Sequence, residues 1–221
     1  MTATAPRLPL RITQPAGHAK RRATAPAGSP ERTGEVEFRS HHSAAVLADL
    51  ATWHGLYLGV YADDRHRADH TDPPLAARLA SHAGRPGFEL VAAHAEGRPV
   101  GFLYGYRLTP DTQWWRGLTP PPDPALVAEW PGRTVALCEG LMLPAWRGRG
   151  LSSELLARLL ADRTEERGAA LVAHSNTRML DMARARGWTH VGDLEPHPGW
   201  RPHAAFVFPL RPVAPAAGST A

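Results

Sequence analysis

The stretch that decides the fold covers residues 134–173 and reads TVALCEGLMLPAWRGRGLSSELLARLLADRTEERGAALVA. Residues 134–143 are apolar and predict a strand, and residues 169–173 predict another. Between them, leucines at 155, 156, 159 and 160 recur at helical spacing, so we predict a helix over 151–167 with the next glycine as its C-terminal cap. The order strand, glycine loop, helix, strand indicates an α/β fold.

The loop between the first strand and the helix is suited to binding an anion. It reads Arg147-Gly148-Arg149-Gly150-Leu151-Ser152. Because it joins a strand to a helix, successive main-chain N–H groups can point at one ligand at a helix N-terminus. The GxGxxG spacing of a dinucleotide site and the GK[ST] ending of a P-loop are both absent from this loop, which argues against NAD binding and nucleotide hydrolysis.

The flanking sequence predicts the remaining elements of one domain. On the N-terminal side we predict a strand at 36–38, helices at 44–61 and 73–83, and strands at 88–93 and 99–106 joined by a hairpin loop at 95–98. Residues 109–132 form a long irregular insertion with one short helix near 125–130. On the C-terminal side we predict a helix at 177–186 and closing strands at 188–194 and 204–208.

The length of 221 residues allows one domain with a sizeable core. Residues 1–33 are rich in Pro, Ala, Thr and Arg and predict a disordered tail, 34–211 predict the domain, and 212–221 predict a flexible C-terminal tail. The net charge of +4 comes mainly from arginine, since Lys20 is the only lysine, and arginine suits bidentate phosphate contacts. The basic step at 20–22 could contact nucleic acid, but a short run in a tail is usually solvated, so no nucleic-acid partner is expected.

The single cysteine, Cys138, excludes an intramolecular disulfide, and no Cys and His pair has metal-finger spacing. The histidines in the N-terminal half lack a matching Cys or Asp constellation, so no metal site is predicted; they are His41, His42, His54, His66, His70 and His82. No apolar run approaches the roughly 18 residues that a membrane span needs, and no secretory signal is visible. We therefore expect a cytoplasmic protein without a membrane partner.

Arg147-x-x-Gly150-x-Ser152 resembles the Q/R-x-x-G-x-G/A signature of the GCN5-related N-acetyltransferase (GNAT) superfamily, with serine in the last small position. Residues 140–144, GLMLP, look like the fourth strand of that family and its following proline, and 151–167 looks like its third helix. Residues 169–173 are similar to the fifth strand, and Asn176 through Gly187-Trp188 looks like the asparagine-containing helix with its Gly-aromatic end. The resemblance covers residues 36–210 and is strongest over 134–194.

The resemblance implies a GNAT-like α/β (α+β) fold: a mixed, mostly antiparallel sheet of six to seven strands, flanked by about four helices, with splayed fourth and fifth strands. It implies acetyl-CoA as co-substrate, with pantetheine against the backbone of the fourth strand and pyrophosphate on the glycine loop. Gly140 suits such a strand, since a glycine there often marks a bulge or a close backbone approach. The implied cofactor-binding residues are Leu141, Met142, Leu143, Arg147, Gly148, Arg149, Gly150, Leu151, Ser152 and Asn176.

A primary amine must lose a proton to form an amide, and Glu139 is the predicted general base. It precedes Gly140 in the strand that would bear the thioester, among apolar neighbours that would make its carboxylate more basic. Many family members place a tyrosine seven residues after the asparagine as the general acid, and this chain has Ala183 there. Tyr104, Tyr106 and His174 are alternative candidates for the general acid, and the sequence does not rank them.

Several residues keep two interpretations at this stage. Asn176 is a preferred helix N-cap and could also contact the cofactor. Trp114 and Trp115 could wall the acceptor pocket, together with Tyr104, or could anchor the insertion to the core. The acceptor would be set by residues 56–72, 109–132 and 196–203, where no motif is present.

The predicted function is transfer of an acetyl group from acetyl-CoA to a primary amine of a small molecule or peptide. The alternative is a noncatalytic acyl-CoA-binding or sensing module, because the usual acid position holds Ala183. A monomer or a homodimer is compatible with the sequence.

Overall fold

A computed structural model describes residues 35–62 and 72–210. The predicted tails, 1–33 and 212–221, lie outside the described residues, as do the basic step at 20–22 and the histidines at 66 and 70. Residues 63–71 also lie outside them and interrupt the segment predicted to contribute to the acceptor site.

Seven strands form one mixed sheet in the order β1-β2-β3-β4-β5-β7-β6. Among the strands of the described residues, β4 and β5 run parallel and the other neighbouring pairs run antiparallel. The predicted fold class is thereby confirmed. The strands are β1 (Val36–His41), β2 (Glu89–Ala95), β3 (Arg98–Arg107), β4 (Thr134–Met142), β5 (Arg167–Ala173), β6 (Thr189–Leu194) and β7 (His203–Pro209).

The predicted hairpin between β2 and β3 is confirmed. Its two central residues, Glu96 and Gly97, have φ values of 52° and 75°. Two successive positive φ values are those of a type I′ turn, whose twist matches that of the paired strands. The turn fixes the pairing of Ala95 with Arg98, and the register shifts once between Ala93 and His94.

Six α-helices flank the sheet within the described residues: α1 (Ser43–Ala48), α2 (Leu50–Val60), α3 (Leu75–Ala83), α4 (Pro124–Val127), α5 (Leu151–Leu160) and α6 (Thr177–Ala185). A short 3₁₀ helix, Pro144–Trp146, follows β4. The prediction of one helix over 44–61 is wrong, because the helical backbone is interrupted at Asp49. There φ is −139°, and the Asp49 side chain accepts a hydrogen bond from Thr52 N, which caps a second helix.

The predicted end of α5 at residue 167 is also wrong. The helix ends at Leu160, and Arg167 is already the first residue of β5. Between them Glu165 is fully buried and accepts a hydrogen bond from Arg107 Nε at 2.7 Å. Because the segment after Leu160 offers no large apolar side chain, a longer helix would have buried nothing against the sheet.

The two faces of the N-terminal half of the sheet carry separate cores. One face packs under α1, α2 and α3, with Trp53, Tyr57, Phe102 and Tyr104 among its buried residues. The other face packs under α5, whose Leu155 and Leu159 are nearly inaccessible. The helical face predicted from the leucine spacing is therefore the face that meets the sheet.

The insertion at 109–132 packs on the C-terminal half of the sheet. Its Thr119 makes a two-way main-chain bridge with Asp193 of β6, at 2.8 and 2.9 Å. Arg167 of β5 donates to Glu129 at 2.9 Å and to Thr134 Oγ1 at 2.8 Å. The short helix predicted near 125–130 is present as α4, Pro124–Val127.

Candidate active site

The parallel strands β4 and β5 separate part-way along their length. Their pairing runs from Thr134 opposite Arg167 to Leu137 opposite Ala170, although β4 continues to Met142 and β5 to Ala173. The β3–β4 register shifts between Tyr104 and Gly105, where Cys138 is the extra residue on β4. A bulge bends its strand locally, so the irregularity lies where the two strands part. The extra residue, Cys138, lies one position before Glu139 and two before Gly140, the glycine from which a bulge or a close approach was expected.

Main-chain groups of β4 line this gap. Leu143 N donates to Val100 O of β3 at 2.9 Å, so hydrogen-bonded pairs fall on alternate residues 139, 141 and 143. The N–H and C=O groups of Gly140 and Met142 consequently face the other way, towards the gap. Of the three residues predicted to hold pantetheine, Met142 has this orientation, whereas Leu141 and Leu143 direct their main chain to β3.

The glycine loop follows at the same end of the sheet. Gly148 and Gly150 both have φ of 78°, a left-handed conformation that glycine adopts without strain, and α5 begins directly afterwards. The amides of Gly148, Gly150, Leu151 and Ser152 donate to no main-chain atom within the part of the chain that the structure describes. The loop is exposed except for the half-buried Leu151. It therefore has the form of an anion cradle at a helix N-terminus.

The two loop arginines have different surroundings. Arg147 Nε donates to Met142 O at 3.0 Å, which ties the loop back to the end of β4. The guanidinium of Arg149 lies 4.7 Å from the ring centre of the buried Trp146. Arg149 is thus placed by a cation–π contact beside the glycines, while Arg147 braces the loop against the strand.

Glu139 lies beside a buried arginine. Its Oε2 accepts a hydrogen bond from Arg78 at 3.0 Å, and the two side chains are 14% and 8% exposed. The expectation of purely apolar neighbours is wrong, because α3 places this cation against β4. Arg78 is itself held by Tyr57 Oη at 2.9 Å and by the carbonyl of Pro73 at 3.3 Å. The carboxylate consequently has a fixed orientation.

Tyr61 is a candidate functional residue that the sequence does not reveal. It is the C-cap of α2, its ring centre lies 4.7 Å from that of Tyr57 with the rings tilted by 56°, and it lies within electrostatic range of both Glu139 and Arg147. Burial, followed by the charge of Glu139, raises the pKa of its phenol well above the ordinary value, so the group stays protonated. A substituent on the nearby Gly59 would lie 3.9 Å from Leu143, which places this end of α2 at the end of β4.

The family model described as Acetyltransferase (GNAT) family matches residues 49–188, more than half of the chain. The chain belongs to the acetyltransferase (GNAT) family. Its sheet, with the parted β4 and β5 and the glycine loop at a helix N-terminus, is the acetyl-CoA-binding fold of that family. No curated protein matches the chain significantly.

Solved structures of the GNAT family share the fold at low sequence identity. An acetyltransferase from Thermus thermophilus has a TM-score of 0.52 at 17% identity, covering 79% of this chain and 96% of that chain. A phosphinothricin acetyltransferase from Sinorhizobium meliloti, in complex with AcCoA, has 0.51 at 20%, covering 79% and 88%. The loading GNATL domain of CurA from Lyngbya majuscula has 0.53 at 14%, covering 80% and 98%. At these identities the likeness establishes the fold.

Ala183, at the position of the family's usual tyrosine, is fully buried in the core between α6 and β7. Of the sequence-derived substitutes, Tyr104 is fully buried, bonds to His82 Nδ1 at 3.0 Å, and has a pKa raised by burial. Burial also raises the pKa of Tyr106, which packs in the same core. His174 lies just beyond β5, half-exposed, with Nε2 at 3.0 Å from Asp193. Tyr104 and Tyr61 both lie within electrostatic range of Glu139, and Tyr61 also lies within range of Arg147.

Asn176 is confirmed as the N-cap of α6. Its Oδ1 accepts a hydrogen bond from Met179 N at 3.2 Å. The residue is exposed at the end of β5. A contact with the cofactor stays a prediction.

Trp115 anchors the insertion to the sheet. Trp115 Nε1 donates to Glu129 at 3.0 Å, and the Arg167 guanidinium lies 5.6 Å from its ring. These contacts are at the beginning of β4 and β5, opposite the end where the strands part. They support the anchoring interpretation of Trp115, and a wall of the acceptor pocket stays a prediction for Trp114 and Trp115.

Two of the three segments predicted to set the acceptor meet beside Arg78, the partner of Glu139. Trp200, from the β6–β7 connection, donates Nε1 to Asp72 O at 2.7 Å, and the Arg78 guanidinium lies 5.1 Å from its ring. His197 packs against Trp200 with ring centres 4.6 Å apart. The sequence contains no signal for Arg78 or Trp200, because only the fold brings Arg78 to Glu139 and Trp200 to Arg78.

Within residues 35–62 and 72–210, no three His, Cys, Asp or Glu side chains gather in a group able to hold a metal ion. Among the helices of the same residues, none is long and apolar enough to cross a membrane.

Proposed function

We propose that this GNAT protein is an N-acetyltransferase that moves the acetyl group of acetyl-CoA to a primary amine of a small molecule or peptide by direct attack. The observation that carries the proposal is the juxtaposition of three features at one end of the sheet. They are the gap lined by main-chain groups of Gly140 and Met142, the anion cradle at 148–152, and the oriented carboxylate of Glu139.

The gap and the cradle fit the two ends of an acyl-CoA. Pantetheine carries amide groups that can pair with the main chain of Gly140 and Met142, as an extra strand would. The pyrophosphate suits the amides of Gly148, Gly150, Leu151 and Ser152, with Arg149 adding charge. We propose these roles for the other predicted cofactor-binding residues: Leu141 and Leu143 shape the slot, Arg147 braces the loop, and Asn176 lies at the rim of the slot.

Glu139 would take the proton that the amine must lose. Attack of the amine nitrogen on the thioester carbonyl forms a C–N bond and breaks the C–S bond, and the departing thiolate accepts a proton. An alkylamine has a pKa of about 10.4, so a nearby base is needed near neutral pH. Glu139 Oε2 is occupied by Arg78, whereas its Oε1 accepts no hydrogen bond from any described residue. Oε1 is therefore the atom that we assign to the amine or to an intervening water.

Tyr61 is our proposed proton donor to the thiolate, because it lies beside Tyr57 at the end of α2 that meets the end of β4. The second candidate function, a noncatalytic acyl-CoA-binding or sensing module, is favoured by one observation. Ala183 occupies the usual acid position and packs in the core.

The test is a pair of measurements on the full chain: calorimetric titration with CoA, and thiol release from acetyl-CoA with a panel of amines and peptides. Gly150→Ala places a side chain at a φ of 78°, which costs roughly 1–2 kcal/mol of local strain and disturbs the cradle. Gly132→Ala is the matched control, because Gly132 also has a positive φ of 84° and open space, and lies away from the loop.

We expect CoA binding, amine-dependent thiol release, and loss of both in Gly150→Ala but not in Gly132→Ala. Binding without thiol release for any amine would favour the sensing module. Absence of CoA binding by the folded protein would refute both functions.

A further inference from the structure

A second concave site lies between α2, β1 and the turn that joins β2 to β3. Its volume is about 620 Å³, which is within the usual range for small-molecule sites. None of the residues that we assign to acetyl-CoA is among the described residues lining it. The lining residues that matter here are His41, Asp49, Trp53, Leu56, His94 and Arg98.

Three buried side-chain nitrogens at this groove have no hydrogen-bond partner in the described structure. They are Trp53 Nε1, His41 Nε2 and His94 Nδ1. Trp53 and His94 are only 4% and 6% exposed. The rings form one cluster, with centres 5.1 Å apart for His41 and Trp53 and 5.7 Å apart for His41 and His94. Because an unpaired buried polar group is costly, three in one cluster indicate that this part of the groove lacks partners that a bound molecule could supply.

The chemistry of these groups favours a ligand rich in hydrogen-bond acceptors. The indole N–H of Trp53 can only donate. Burial and the neighbouring Arg39 lower the pKa of His41 and of His94, so both rings are neutral at pH 7 with one N–H each. The N–H of His94 is close to the main-chain carbonyl of Ala92, a contact that opposes the lowering of its pKa.

The charged groups at the rim of the groove also favour a ligand rich in hydrogen-bond acceptors. Arg98 is exposed on the turn and adds a positive charge. Asp49 is the one carboxylate among the lining residues, and its Oδ1 is already used by Thr52 N to cap α2. Arg39, beyond the lining, is paired with Glu37. The groove therefore offers more donors than acceptors.

We propose that this groove is a binding site for a small carboxylate, which accepts hydrogen bonds from Trp53 and His41 beside the His94 ring while Arg98 offsets its charge. A carboxylate has about four acceptor positions on two oxygens, which matches this set of donors. Leu56, Ala45 and Pro99 provide an apolar wall for a short aliphatic body.

The site is separate from the proposed reaction centre and does not depend on the proposed function. Trp53 and Leu56 of α2 line the groove, whereas Tyr57 of the same helix bonds to Arg78, the partner of Glu139. The helix thus forms a wall between the two sites.

The probe is butyrate, with butyramide as a neutral molecule of the same shape, titrated into the full chain at constant ionic strength. Side-chain ¹H–¹⁵N NMR follows the Trp53 indole and the His41 and His94 rings. We expect butyrate to shift these signals and to bind at least tenfold more tightly than butyramide. Saturating CoA occupies the glycine loop in a parallel titration, and butyrate should still bind. Absence of these shifts, equal binding of butyramide, or displacement by CoA would overturn the proposal.

Two variants locate the bound molecule. Trp53→Phe keeps an aromatic ring and removes one N–H, so butyrate affinity should fall about tenfold or more, as for a hydrogen bond to a charged group. Trp130→Phe is the matched control, because its indole donates to Glu166 at 3.0 Å, outside the groove. Arg98→Gln changes an exposed side chain and should weaken binding severalfold even if Trp53→Phe does not fold. Unchanged affinity in Arg98→Gln together with either an unfolded or an unaffected Trp53→Phe would refute the site.

Discussion

Replacing Glu139 by glutamine should remove the base and leave the architecture in place. The glutamine oxygen can still accept the Arg78 hydrogen bond that Glu139 accepts at 3.0 Å, so the side chain keeps its position. An amide cannot take a proton from the amine, and general-base catalysis contributes about 10²–10⁴-fold. That range corresponds to about 3–5 kcal/mol in activation free energy. We therefore expect kcat/KM to fall by that factor while the Kd of CoA stays unchanged.

The assay is thiol release from acetyl-CoA with two acceptor amines of different pKa. The defect of Glu139→Gln should be smaller for the less basic amine, because a larger fraction of it is already deprotonated at neutral pH. Glu166→Gln, an equal chemical change at a carboxylate bonded to Trp130, is the control and should keep full activity. Equal turnover of Glu139→Gln and the native protein would refute the reasoning, as would a defect of the same size with both amines.

Two further changes test structural contacts. Asn176→Ala removes the cap of α6 and should lower the free energy of unfolding by about 1 kcal/mol in chemical denaturation; Asn176→Asp, which can still cap, should restore most of it. Burial alone would raise the pKa of Glu165, but the hydrogen bond from Arg107 outweighs it and the pKa is lowered below 4.5. A lowered folded-state pKa contributes stability above the unfolded-state pKa that is lost as the pH falls through the folded-state value. Thermal unfolding between pH 3 and 7 should therefore show a loss below about pH 4.5 that is smaller in Glu165→Gln; an identical pH dependence of the two proteins would contradict it.

The fold could be predicted closely where local pattern and core packing agree. The leucines at 155 and 159 predict a helical face, and that face meets the sheet. Prediction failed where a single polar side chain decided the outcome. Asp49 splits one apolar periodic segment into two helices, and the buried Glu165 belongs to a connection that replaces the last turns of α5.

From the sequence, only the site residues that are close to one another along the chain could be predicted. Glu139 and the loop at 147–152 are contiguous with a recognisable strand and helix, so the sequence identifies them as candidates. Arg78 is 61 residues from Glu139, and no periodicity relates the two positions. Trp200 lies in the connection between β6 and β7, far from both residues in sequence, and joins them through its ring contact with Arg78. The acceptor side is therefore built from long-range contacts that a single sequence does not specify.

The hydrogen bond from Arg147 to Met142 O has a consequence for how the protein is loaded. It joins the glycine loop before α5 to the last residue of β4. The loop proposed for the pyrophosphate and the strand proposed for pantetheine therefore form a single rigid unit. Little conformational entropy of this loop then has to be lost when that molecule arrives. Such a receptor should capture and release its donor rapidly, leaving the identity of the incoming nucleophile to control turnover.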